Sequence, residues 1–203
     1  MRTTKKLKEM KIKISEIEDL TLALLDENAE AIEERVEYGD AGTELRGLIR
    51  SLLPEASRLA VCSASRADID EVKEMEGVIA EHYGDGQAVV KLPEDYLRLI
   101  YFRMSDWPRG VTEPLAADGD SLALRLGRSW RMFGRRATPA VAVAHSGHGR
   151  SLRVLGTIEG STVAEAQYVP VPQVENGYIE LPSRLMHPVA ARLAEMVNLI
   201  TTH

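Results

Sequence analysis

"KLPEDYLRLIYF" (residues 91–102) and "ELPSRLMHPVAARLAEMV" (residues 180–197) decide how this chain is read. Each follows a short β-branched or aromatic run, Ala88-Val89-Val90 in the first and Gly177-Tyr178-Ile179 in the second. Each then runs Leu-Pro, a few polar residues and an apolar segment. A proline holds the residue before it extended, and it suits the first position of a helix, where its missing N–H costs nothing. Glu94 and Asp95 would then lie at the positive end of a helix dipole. The pattern predicts one strand-to-helix transition made twice. Residues 96–104, "YLRLIYFRM", leave two readings open, a continuing helix or one helical turn followed by a strand. Leu97, Leu99 and Tyr101 alternate only imperfectly with Arg98, Ile100 and Arg103.

Between the two copies the chain reads as β-rich. "TPAVAVAH" and "SLRVLGTI" are strand candidates joined by the glycine-bearing turn "SGHGR". "AEAQYVPVP" is a third, with Pro170 and Pro172 confining it to an edge. Outside the two copies the pattern is helical. Leu7, Met10, Ile14, Ile17, Leu20 and Leu24 form an apolar stripe within residues 5–38, and Ser15 with Glu18 makes a capping-box start. A second helix carries Leu45, Leu48, Ile49, Leu52 and Leu53, and Pro54 is expected to end or kink it. "DIDEVKEMEGVIAEHYGDGQ" (68–87) reads as a weak polar helix or an irregular excursion. In the last helix Val189, Leu193, Met196, Val197 and Ile200 are expected to face inward. The expected fold is α+β: a helical bundle core, residues 1–97 plus 180–203, with a β-rich insertion, 98–179, hung between the two Leu-Pro transitions.

The 203 residues, 44% hydrophobic and 28% charged, have the balance of an ordinary globular protein. No apolar run approaches the roughly 20 residues that cross a bilayer. The basic start "MRTTKKLKEMKIKI" lacks an apolar core and a small-residue cleavage site, so secretion is not expected. A single cysteine, Cys62, fits a reducing compartment. The net charge of −6 is unevenly spread. Residues 1–97 carry 13 Lys+Arg against 22 Asp+Glu, residues 98–153 carry 10 against 4, and residues 154–203 carry 2 against 5. All ten cations of the middle stretch are Arg. Guanidinium forks suit carboxylates and phosphates; a plain solvated face is the competing explanation. Between residues 16 and 44 eleven acidic side chains meet one cation, Arg35.

Signals for catalysis are thin. His145 and His148 have ligand-like spacing, but a third ligand would have to come from His82, His187 or His203, and no HExxH or CxxC accompanies them. "GHGRS" is not a nucleophile elbow, and neither "YGDGQ" nor "GTIEGS" is a phosphate loop. No enzymatic activity, cofactor or metal is expected. The tract 125–136 interleaves Arg with Trp130 and Phe133, as grooves that track single-stranded backbones do. A binding or regulatory module for nucleic acid or an anionic ligand is therefore the alternative function.

The order "LRGLIRSLLPEASRLAV", "VVKLPEDYLRLIYFRMSDWPRGV", "TPAVAVA", "YVPVPQVENGYIELPSRLMHPVAARLAEMVNLI" resembles the head–tail connector (adaptor or ring) proteins of tailed bacteriophages. The phrase LP-x-x-[YF]-L-R-L of that group is matched by Leu92, Pro93, Tyr96, Leu97, Arg98 and Leu99. Its Y-x-P segment and closing helix are matched by Tyr168, Pro170 and residues 183–200. The resemblance implies a virion structural protein: a homo-oligomeric ring under the portal that joins it to the tail and continues the DNA channel. Portal and tail proteins would be its partners, with non-specific contact to packaged DNA and no membrane. A ring needs one patch to meet a different patch on the next copy. Two patches are expected for it, an acidic one (Glu30, Glu33, Glu34, Glu37) and an arginine-aromatic one (Arg98, Arg103, Arg125, Arg128, Trp130, Arg131, Arg135).

Overall fold

The computed structural model describes residues 11–30, 41–83, 86–115, 139–146 and 149–201. The chain divides into two compact units, Val72–Pro170 and, discontinuously, Met1–Glu71 with Val171–His203. Among the described residues there are three helices and ten strands, the strands forming three antiparallel sheets. This overturns the expected helical bundle core with a β-rich insertion: the chain is α+β and rich in sheet. The expected boundaries at 97/98 and 179/180 fall inside strands.

The discontinuous unit holds all three helices, α1 (Ile14–Glu30), α2 (Ala41–Ser63) and α3 (Met186–Thr201), and strands β1 (Lys11–Lys13), β9 (Val174–Glu175) and β10 (Tyr178–Glu180). Within the helix expected over 5–38, Lys11–Lys13 form strand β1 instead, and residues 5–10 and 31–38 lie outside the described residues. Ile12 lies opposite Ile179, so the strand supplies one apolar side chain to the sheet before the helix starts at Ile14. β9 and β10 are joined by Asn176-Gly177, both at positive φ (51° and 81°). That two-residue turn suits the right-handed twist of the strands. α3 packs against both α1 and α2. Its buried face is Val189, Ala190, Leu193, Ala194 and Val197, while Ile200 is exposed, contrary to expectation. Ile49, Leu53, Ala56, Ala60 and Val61 line the matching side of α2. Pro54 does not end α2. It lies on the exposed face, where the carbonyl that loses its donor is within reach of water.

Val72–Pro170 contains two sheets around one apolar core. One has the order β2 (Lys73–Glu74), β8 (Val163–Pro170), β5 (Tyr96–Met104); the other runs β3 (Ala80–Tyr83), β4 (Gln87–Lys91), β7 (Gly149–Leu155), β6 (Ala140–Ser146). Period-two burial fills the space: Ala88, Val90, Leu152, Val154 and Val141 from the second sheet meet Leu99, Phe102, Met104, Ala166 and Tyr168 from the first. Trp107 packs edge-on to Phe102, ring centroids 5.8 Å apart, and its indole N–H donates to the carbonyl of Gly156 at 2.9 Å. Residues 68–87, expected as polar helix or excursion, supply β2 and β3.

The two Leu-Pro stretches part company here. After Leu181-Pro182 comes a 3-10 turn, Ser183–Leu185, and then α3. After Leu92-Pro93 the amide of Tyr96 donates to the carbonyl of Pro93 at 3.1 Å, one turn forms, and the chain leaves it as the nine-residue strand β5. No helix follows Pro93.

Candidate functional site

The charged groups of the described residues mostly brace the two units. In the discontinuous unit Glu18 is 1% exposed although ionisable. Arg46, one helix away, donates to Glu18 Oε2 at 3.1 Å and to Asp19 Oδ1 at 2.8 Å, and Arg50 grips both oxygens of Glu18. Hydrogen bonds to Asp19 and Glu18 raise the Arg46 guanidinium above its usual range, and the bond to Glu18 does the same for Arg50. Part of the acidic block is therefore spent inside the fold. Arg46 and Arg50 stand four apart on one helix face, the spacing that lets two forks share a carboxylate; that spacing was visible in the sequence.

In Val72–Pro170 the turn at Leu92-Pro93 is clamped. Asp95 accepts from the Tyr168 hydroxyl at 2.9 Å and from Lys73 Nζ at 3.2 Å, which ties β5 to β8 and β2. Tyr96 stacks on Tyr168 with centroids 6.0 Å apart, and the Arg150 guanidinium lies 5.8 Å over the Tyr96 ring. Burial, then the hydrogen bond to Asp95 and its negative charge, push the Tyr168 phenol up to about 12. Tyr168 keeps its proton at neutral pH and acts as a donor that holds the turn. A second clamp fixes residues 156–162: Asp106 accepts from Thr157 Oγ1 at 3.0 Å and from the Ile158 amide at 3.2 Å, and His82 Nε2 meets the Ser161 carbonyl at 2.8 Å.

Of the expected interface residues, Arg98 and Arg103 lie on β5, both half-buried. Arg103 donates to Glu165 of β8 at 2.7 Å, and that bond raises its guanidinium above the usual range. Glu30 ends α1, but its side chain is outside the described residues, as are Glu33, Glu34, Glu37, Arg125, Arg128, Trp130, Arg131 and Arg135. His145 is exposed at the end of β6 and His187 is exposed on α3; His148 and His203 lie outside the described residues. Among the described residues no three His, Cys, Asp or Glu side chains gather to hold a metal ion, and no helix is long and apolar enough to cross a membrane.

What remains for an outside partner is sheet edge. β3 pairs on one side only, with β4, and among the described residues nothing pairs on its other side. Its outward face is Ile79 (76% exposed), Glu81 and Tyr83 (56% exposed). β1 is likewise an edge, paired only with β10, with Lys11 and Lys13 exposed. Beside β1 a shallow depression of about 180 Å³ is lined by Lys11, Gln173, Glu175, Asn176, Tyr178 and Glu180. An open edge offers unpaired N–H and C=O groups to another strand, and exposed Ile and Tyr beside it add apolar area for the partner to cover. Sequence periodicity did not mark β3, because the four residues Ala80-Glu81-His82-Tyr83 carry no apolar alternation and become a strand only beside β4. No protein-family model matches the chain, and no curated protein matches its sequence.

Proposed function

We propose that this chain is a structural subunit that assembles with copies of itself into a closed ring, in the manner of the head–tail connectors of tailed phages, with portal and tail proteins above and below. The carrying observation is the edge of β3, unpaired on its outer side among the described residues, with Tyr83 exposed on the strand and Ile79 exposed just before it. A monomeric protein ordinarily blunts or covers such an edge; a subunit uses it. The uneven charge supports the same reading. Val72–Pro170 carries 12 Lys+Arg against 12 Asp+Glu, and the rest of the chain 13 against 19, so the whole −6 belongs to the discontinuous unit. A neutral unit and an acidic unit on one chain are two different surfaces, and head-to-tail contact between different surfaces forms a ring where the rotation closes.

Mass photometry and negative-stain imaging of the purified chain test this, alone and mixed with a tailed-phage portal protein. The expected result is a closed oligomer of one size that caps the portal. A species that stays monomeric at every concentration and never binds portal overturns the reading.

A further inference from the structure

We propose that the ring contact is made by strand addition: β1 of one copy pairs with the open edge of β3 in the next. The inference rests on the assembly reading above and names its contact.

β1 and β3 are two of the edge strands among the described residues; they can meet across copies in three ways, and side-chain charge separates them. A two-fold pairing of β3 with β3 sets Glu81 against Glu81 when it turns about Glu81 and against Tyr83 when it turns about His82, so neither register brings a cation to the carboxylate. Pairing β1 with β1 brings Lys11 and Lys13 against Lys11 and Lys13. Like charges directly opposite destabilise an antiparallel or parallel pair, and opposite charges stabilise it. Only the unlike pairing, Lys11-Ile12-Lys13 beside Ile79-Ala80-Glu81-His82-Tyr83, puts cations beside the carboxylate. The surroundings extend the contrast. β3 lies in a stretch holding Glu74, Glu76 and Glu81, without a cation between Lys73 and Lys91. β1 contributes two lysines on the exposed face of its strand.

The faces also match in polarity. Lys11, Lys13 and Glu81 all project to the exposed side of their sheets, as do Ile79 and Tyr83. On the β1 side, Tyr178 stands opposite Lys13 one strand further in, 39% exposed. Backbone hydrogen bonds supply the attraction and the charges choose the partner. Because β1 and β3 are different surfaces, each copy gives one edge and receives another, which is the heterologous contact a ring requires.

The test is a charge swap read by native mass spectrometry. Glu81→Lys places Lys against Lys11 and Lys13 of the next copy. Lys11→Gln with Lys13→Glu places Glu against Glu81; Gln is used at position 11 because Glu180 lies opposite it within the chain. Each variant alone is expected to associate at least about tenfold more weakly than the unaltered protein. An equimolar mixture of the two, or one chain carrying all three substitutions, is expected to regain assembly, which also shows that the variants are folded. If the unaltered chain assembles and every variant assembles equally well, or if the mixture fails to recover, this contact is overturned and the ring reading stands. If the unaltered chain is itself monomeric, the ring reading falls first.

Discussion

Leu92-Pro93 and Leu181-Pro182 begin alike and end differently: one opens a strand, the other a helix. The prolines do the same local work at both places, extending the leucine before them and turning the chain once. The outcome is set by what each segment meets next. After Pro182 the apolar residues recur at helical spacing, and Val189, Leu193 and Val197 find α1 and α2 to pack on. After Pro93, Tyr96, Leu99, Phe102 and Met104 find β8, whose Tyr168 reaches back to Asp95. A carboxylate that would have favoured a helix start is occupied as a clamp across strands. Tertiary partners outvoted the local signal, as they commonly do for β segments.

The sharpest way to break the comparison is to empty each segment's core position. Phe102→Ala is expected to cost about 3–5 kcal/mol and Leu193→Ala about 2–5 kcal/mol, measured by urea unfolding. If strand and helix belong to separate units, proteolysis under native conditions will first cut within Val72–Pro170 for Phe102→Ala and outside it for Leu193→Ala. Cutting in the same place for both would contradict the division.

A smaller effect isolates the clamp. Tyr168→Phe deletes one hydrogen bond, at a cost of about 0.5–1.5 kcal/mol. Because the phenol is held near 12 in the fold, above the ordinary value of about 10 for tyrosine, the neutral form is favoured by folding. Its contribution is fully present below pH 10 and is lost as pH rises through 12. The difference in stability between the unaltered chain and Tyr168→Phe should hold steady from neutral pH to about 10 and shrink above it. A difference that grows with pH in that window would mean the phenol is ionised in the fold.

The smallest effect should be equal at the two places. Pro93→Ala and Pro182→Ala each restore freedom to the unfolded chain and are expected to cost about 0.4–1 kcal/mol, read as matched shifts in thermal midpoint. A large cost at Pro93 alone would show that its ring, and not the Asp95 clamp, decides the strand.

What could be read in advance follows the range of the interactions. The stripes of α1, α2 and α3 and the β6–β7 hairpin are local patterns, and the sequence carries them. The Asn176-Gly177 turn between β9 and β10 is an equally local hairpin signal. β1 was not legible: Lys11 finds its partner at Glu180, and nothing near residue 11 records that. Of the two readings open for residues 96–104, one turn followed by a strand is the one the chain takes, and bulges opposite β8 account for the imperfect alternation. The expected interface rested on charge, which locates excess but not its use. Glu18 is buried under Arg46 and Arg50, Asp19 and Arg103 are taken up by ion pairs within the chain, and the unpaired edges among the described residues emerge only once neighbouring strands are in place.

One pairing has a consequence for how this chain can be remodelled. Lys73 of β2 lies opposite Tyr168 of β8, so Val72–Pro170 begins and ends side by side, with facing Cα atoms about 4.5–5.5 Å apart. A segment whose two ends meet behaves like a cassette. It can be lifted out and closed with a short loop, exchanged for another of the same gauge, or permuted by joining its ends and opening it elsewhere, and the host chain would register little more than a tight bend.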